Sequence, residues 1–274
     1  MKSIVKIEKI KTLYSPAFRT IIILHASLFL AVILIAGSLR INIQGVYIEK
    51  ILQFPHVWNT LAWIASWFNL LLGILAIILV TNEFHYKTFR KQLIDGLSRG
   101  ELLLGKVFIF ASIAIYTMLL VFACGLVMGM VKTSGLNMGN FIQGLGFLPV
   151  LFLQSLGYML LAMLFGFLFK NTALSIVSFI LYFFPIEPII RAIIPDMAVK
   201  FMPAKVIANL TPMPDFIGIS MGDMLQVTQG STNPLQDIGL ISETMPLLQA
   251  STLAIGYCLV FIFVTRVIAK RASF

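Results

Sequence analysis

The chain has 274 residues, of which 59% are hydrophobic and only 11% charged, and its mean hydropathy is +0.97. A soluble domain carries about 25% charged residues, and here Leu, Ile and Phe are spread along the whole length, so most of the chain belongs in lipid. A soluble enzyme, a secreted disulfide scaffold and a disordered tail are excluded; the net charge of +9 sits in the flanks of apolar runs, which argues against a nucleic-acid surface.

Residues 1–16 read as an amphipathic helix. Ile4, Ile7, Ile10 and Tyr14 share one face and Lys2, Lys6 and Lys9 occupy the other, which describes a helix lying in a membrane interface. Ser15-Pro16 turns the chain into the first span, about 20–39. That run has full span length and lacks a small-residue cleavage site, so it is expected to be a span and not a signal peptide. His25, one to two turns inside it, reads as a packing residue, because no acid lies in the core of the other spans.

The second span, 57–81, carries Asn59, Ala62, Ser66, Asn69 and Gly73 at three-to-four spacing, a narrow polar and small face opposite Trp63 and Trp67. Such a face serves helix packing as well as a substrate path.

Residues 82–106, NEFHYKTFRKQLIDGLSRGELLLGK, form the most heavily charged stretch. The spacing predicts a short helix over 84–94 with Tyr86, Phe89 and Leu93 on one stripe and Lys87, Arg90 and Lys91 around the rest, ended by Gly96 in the left-handed conformation. Ser98, with Glu101 three residues on, predicts a capping box for a helix that continues through Lys106 into the third span, 107–131. The result is a stiff basic elbow able to pass a push from a docked partner into spans two and three. In span three, Gly125 and Gly129 make a GxxxG, whose usual meaning is close helix packing.

Residues 133–146 are rich in Gly and Asn and read as a loop before the fourth span, 147–169. The fifth span, about 172–190, has a stripe of Asn171, Ser175, Ser178 and Tyr182. Its charge-free part, 171–186, rises only about 24 Å against a hydrocarbon core of about 30 Å, and Pro185 and Pro188 then flank Glu187. The helix is expected to break there, with 185–194 turning back or lying on the outer surface as part of an outer gate. An outer loop, 191–245, with short interfacial or re-entrant helices precedes the sixth span, 246–266. Cys124 and Cys258 each lie inside an apolar run and read as buried thiols.

The basic residues fix the expected orientation. Lys2, Lys6, Lys9, Lys11, Arg19, Lys87, Arg90, Lys91, Arg99, Lys106, Lys170, Arg266, Lys270 and Arg271 fall on one side of a six-span layout. Only Arg40, Lys50, Lys132, Arg191, Lys200 and Lys205 fall on the other, where the last loop adds Asp196, Asp215, Asp223, Asp237 and Glu243. Both termini are therefore expected in the cytoplasm. The fold class is all-α integral membrane, with six transmembrane helices, an N-terminal interfacial amphipathic helix, a cytoplasmic helix between spans 2 and 3, and a broken or re-entrant region between spans 5 and 6.

The order Glu83, Thr88, Arg90, a hydrophobic pair, Asp95-Gly96-Leu97-Ser98-Arg99, then Glu101 and Gly105-Lys106, resembles the cytoplasmic signature of the ABC-2 type permeases, the membrane subunits of ATP-driven exporters. Lys87 stands where that family often has Gly, and Gly96-Leu97 where many members have a proline step. The motif covers roughly 25 residues and the topology the whole chain. The resemblance implies a half-transporter in the bacterial inner membrane that pairs with a second permease subunit, identical or different, and docks a separate cytoplasmic ABC ATPase. Glu83, Phe84, Thr88, Phe89, Arg90, Leu93, Gly96, Ser98, Arg99, Glu101 and Lys106 would form the coupling helix and its supports. Asn59, Ser66, Asn69, Ser175, Ser178 and Tyr182 would line the translocation path, and Pro185, Glu187 and Pro188 the outer gate. The chain contains no GxxxxGK[ST] phosphate loop, so ATP and Mg would sit on the partner and no cofactor on this chain. The uncharged faces fit an amphiphilic, lipid-like or peptidic cargo.

Two other classes share features of this sequence. A non-transporting membrane scaffold or immunity protein would have the same topology. A membrane-embedded enzyme is disfavoured, because His25, His56 and His85 fall in three environments, no HExxH occurs, and the spans after the second contain no histidine to serve a serine protease. No catalytic or metal-binding residue is expected.

Overall fold

The computed structural model describes residues 2–38, 42–43, 46–47, 51–135, 137–212, 214 and 246–271. Among them the chain is almost wholly helical. In order come α1 (Lys2–Tyr14), α2 (Pro16–Ser38), a pairing of β1 (Asn42–Ile43) with β2 (Val46–Tyr47), α3 (His56–Ser66), α4 (Asn69–His85) and α5 (Thr88–Ile94). Then follow α6 (Arg99–Lys132), α7 (Met138–Ile142), α8 (Phe147–Phe169), α9 (Thr172–Leu181), a π-helical turn (Tyr182–Ile186), α10 (Glu187–Ile193), α11 (Asp196–Val199), α12 (Pro203–Ala208) and α13 (Leu247–Arg271). Five helical stretches are long and apolar enough to cross a membrane, and the pair α3 with α4 makes a sixth if counted as one bent span. The architecture is that of a multi-pass helical membrane protein.

Helix α8 occupies the centre, packed against α4, α6 and α13, with α3 and α9 also on it. Its Met159, Leu160, Ala162 and Met163 meet Leu72, Leu75 and Ala76 of α4 and Phe110 and Ile113 of α6 in one buried cluster. Because lipid is as apolar as leucine, such helices associate through close fit and not through expulsion from water. Two glycines carry that fit. A Cβ on Gly73 would stand 2.5 Å from the Phe179 ring of α9, and one on Gly125 of α6 would stand 2.6 Å from the Trp58 ring of α3. The atoms nearest the GxxxG glycines of α6 thus belong to aromatic rings, Trp58 at Gly125 and Phe54 at Gly129.

Hydrogen bonds gather the helix ends into two layers. At the elbow end, Arg99 at the start of α6 donates to the Ala269 carbonyl, 2.8 Å, and to that of Lys270 at the end of α13. At the far end, the Lys132 ammonium donates to Gly37 O of α2, 3.1 Å, and the Trp58 indole N–H to Phe141 O, 2.9 Å. Helix α6 has 34 residues, which at 1.5 Å per residue is about 50 Å, well beyond the hydrocarbon core. Its first turns therefore stand outside with the elbow.

Four expectations change. Span 57–81 is not one straight helix: α3 and α4 meet at 46° across Trp67 and Phe68. Ser66 Oγ donates back to Trp63 O, 2.7 Å, and the α3 ladder closes on 3₁₀-type bonds from Trp67 and Phe68, so the helix ends and restarts. The elbow helix begins at Thr88 and not at residue 84, because Lys87 adopts φ 53, which stops α4 and reorients the chain. The 133–146 segment contains the short helix α7, capped by Asn137 Oδ1 on the Gly139 N–H, 3.1 Å. Finally, residues 185–194 do not turn back. The chain stays helical from Thr172 to Ile193, and Pro185 is absorbed in a π turn that drops the hydrogen bond proline cannot make. The expected break at Pro185 rested on a short charge-free run, two prolines and a carboxylate that is costly in lipid, but protein N–H groups sequester that carboxylate, as described below. Leu39, Arg40, Lys50 and most of the outer loop, including Asp215, Asp223, Asp237 and Glu243, lie outside the described residues.

Candidate functional site

The elbow is built from local rules. Gly96 follows α5 at φ 92, the left-handed value that spares a Cβ clash, and the Gly96 and Leu97 N–H groups close back onto Leu93 O and Gln92 O. Ser98 then starts α6: its Oγ accepts from the Glu101 N–H, 3.2 Å, while Glu101 Oε2 accepts from the Ser98 N–H, 2.9 Å.

Packing fixes α5 to the bundle by its apolar side. Phe89 is 2% exposed, and its ring lies 5.0 Å from that of Phe84 at the end of α4 and 5.6 Å from Phe167 in α8. Leu93 is partly buried against the same cluster. Lys170, just past α8, sets its ammonium 5.9 Å from the Phe84 ring centre. The opposite side, with Arg90, Lys91 and Ile94, is exposed, as is Tyr86 in the turn before it. The expected stripe of Tyr86, Phe89 and Leu93 is therefore split, with Tyr86 turned outward.

Beneath the elbow lies a cluster of four charges from three elements. Lys106 of α6 is buried, 2% exposed, and its ammonium contacts Glu83 of α4 and Glu8 Oε2 of α1 at 2.7 Å. Lys11 bridges the same two acids, 2.7 Å to Glu8 and 2.6 Å to Glu83. Two ammonium groups and two carboxylates neutralise one another, which is the condition for burying them. Burial pushes the Glu8 carboxyl up, but the neighbouring Lys106 and Lys11 charges outweigh it and hold its pKa below the usual glutamate value.

This arrangement explains the face that α1 presents. Glu8 and Thr12 point inward and are buried, whereas Ile7, Ile10, Leu13 and Tyr14 are exposed. The helix packs on α6 and α2 through its polar side and offers its apolar side outward. Sequence reasoning found Glu83 and Lys106 but missed Glu8 and Lys11. The available signal was Glu8 itself, the one acid in a lysine-rich helix, three residues before Lys11.

At the far end, Glu187 is 0% exposed. Its Oε1 accepts from the Lys205 N–H, 2.7 Å, and its Oε2 from the Ala204 N–H, 3.0 Å, so this carboxylate from α10 caps α12, whose own N-cap, Met202, has no side-chain oxygen. Arg191 Nε lies 3.7 Å from Oε1. Beside it Gln154 of α8 donates to Ala208 O, 2.9 Å, and accepts from Thr211 Oγ1, 2.9 Å. Pro185 is half-buried in the π turn and Pro188 exposed in the first turn of α10. The three residues assigned to an outer gate thus share a short helical stretch, with only Glu187 reaching α12.

The six residues assigned to the path divide. Asn69 is fully buried at the start of α4, where its Oδ1 accepts from Ser155 Oγ of α8, 2.8 Å. Ser175 is buried too, bonded to Asn171 O at 2.7 Å. Asn59, Ser66, Ser178 and Tyr182 are half-buried. Spans two and five do meet: Gly73 abuts Phe179, and Thr81 and Thr172 share a hydroxyl bond of 2.7 Å.

His25 lies buried between Phe68, 6.1 Å centroid to centroid, and Tyr116, 5.8 Å. Among the described residues, no group of three or more His, Cys, Asp or Glu is arranged to hold a metal ion. No protein-family model matches this chain, and no curated protein matches it either.

Proposed function

We propose that the chain is the permease subunit of an ABC-type transporter of the bacterial inner membrane, with both termini in the cytoplasm. ATP and Mg are bound and hydrolysed by a separate ATPase subunit, and a second permease subunit, identical or different, completes the pathway. The cargo is amphiphilic, lipid-like or peptidic, since the path residues Asn59, Ser66, Asn69, Ser175, Ser178 and Tyr182 bring hydroxyl and amide groups and no net charge.

One observation carries this reading. Helix α5 is anchored on one side by the Phe84, Phe89 and Phe167 rings and presents Arg90, Lys91 and Ile94 on the other. The buried charge cluster under it joins α4 and α6 to α1. An element so held moves as a rigid body, and a push on its free side reaches two spans together. Phe89 and Leu93 are then anchors, and the docking face is Tyr86, Arg90, Lys91 and Ile94.

Capturing the tagged full chain from gently solubilised source membranes tests the proposal. A phosphate-loop ATPase should co-purify, and the captured complex should hydrolyse ATP. Replacing Arg90 by Glu and Ile94 by Asp together should remove both while leaving the permease inserted and monodisperse. Absence of such an ATPase, or hydrolysis unchanged in the double variant, would refute the reading.

A further inference from the structure

The interfacial helix leaves a lateral apolar groove of about 400 Å³ between itself, α2 and α6. Leu13, Phe18, Ile22, Phe108 and Ile113 supply its walls, and Lys9 lies at its rim. That volume falls in the range of small-molecule sites, roughly 300–1,000 Å³. Lys9 and Thr12 belong to the interfacial helix, whereas Tyr116 lies eight residues deeper along α6 than Phe108, about 12 Å at the helical rise. The Tyr116 hydroxyl donates to Ile22 O, 3.4 Å, across the two helices that wall the groove. The surface around it is apolar and exposed: Ile10, Leu13, Ile23 and Phe108 all stand open, as expected of residues that meet hydrocarbon.

We propose that this groove holds one acyl chain of an anionic phospholipid from the leaflet on the elbow side, with the lipid phosphate against the Lys9 ammonium. The occupant is a lipid because the groove is walled by apolar side chains, lies beside the exposed apolar residues Ile10, Leu13, Ile23 and Phe108, and includes a single charged side chain, Lys9. It is anionic because that rim is basic: Lys9 is exposed on α1, while Lys11 is already committed to Glu8 and Glu83. The lipid holds α1 against α2 and α6 from outside, as the charge cluster holds it from inside. The proposal rests on the membrane-spanning architecture alone and is independent of ATP coupling.

Native mass spectrometry of the delipidated full chain in non-ionic detergent tests it, with phosphatidylglycerol and phosphatidylcholine of identical chains added in parallel. One lysine near a membrane surface favours an anionic headgroup roughly fivefold, so retained phosphatidylglycerol should exceed phosphatidylcholine by about that factor. Lys9→Glu should abolish the preference, and Ser112→Trp, an exposed lining position, should reduce retention of both lipids. Lys6→Glu makes the same charge change on the exposed side of α1 and should leave retention unaltered. Equal retention of the two lipids, no effect of Lys9→Glu, an equal effect of Lys6→Glu, or full displacement by soluble glycerol phosphate would each overturn the assignment.

Discussion

At the scale of single residues, Lys106 carries more of the structure than its position at the mouth of a span suggests. It is the one cation of the cluster that is almost fully buried, and it serves two carboxylates at once. Removing one partner of a buried charge pair costs about 3–5 kcal/mol, because the other charge stays behind unpaired. Lys106→Ala should therefore lower the thermal unfolding midpoint in detergent clearly, whereas Lys91→Ala, at an exposed site, should not. Glu8 adds a pH dependence. Its pKa is lowered in the folded chain, so the stabilisation it gives is fully present above the ordinary glutamate value and is lost as pH falls through the lowered one. Hydrogen exchange in α1 should accelerate on acidification below about pH 4, beyond the intrinsic chemical trend, and Glu8→Gln should be loose already at neutral pH.

At the scale of elements, the elbow separates anchoring from presentation. Phe89 and Ile94 lie on one short helix, yet one is 2% exposed and the other 76%. Truncating a buried phenylalanine costs about 3–5 kcal/mol, so Phe89→Ala should unseat α5 and lower the melting midpoint of the isolated permease. Ile94→Asp should leave that midpoint unchanged and act only on partner binding. A thermal shift from Ile94→Asp as large as that from Phe89→Ala would contradict this division. The fifth span teaches a related lesson. Pro185 and Glu187 read as a break when each is weighed alone against lipid, but a π turn accommodates the first and two backbone N–H groups of α12 satisfy the second.

At the scale of the whole molecule, the polar bonds at the helix ends form two layers, while the buried Asn69–Ser155 bond joins α4 to α8 within the bundle. The elbow layer joins α1, α4, α6 and the end of α13; the far layer joins the end of α2, α3, α6, α7, and separately α8 with α10 and α12. With six crossings, the expected orientation places the elbow layer inside the cell. In a variant with Cys124 and Cys258 replaced by alanine, a cysteine at the exposed Met138 position of α7 should react with a membrane-impermeant maleimide added to intact cells. One at the Ile94 position should react only after lysis. The reverse pattern would invert the orientation and with it the proposed docking face.

The multi-pass helical class, the helix over 147–169, the left-handed Gly96 and the Ser98 capping box were legible in the residues alone, because each depends on local chemistry: hydropathy over about 20 residues, a missing Cβ, a hydroxyl three residues before a carboxylate. The partners of buried charges were not. Glu8 meets Lys106 and Glu187 meets Ala204 only after distant segments have packed, and an acid read in isolation carries its full cost in lipid. The same holds for the inward polar face of α1 and the split between Phe89 and Ile94. Helical periodicity groups residues on one face, but only tertiary packing decides whether that face meets protein, lipid or water.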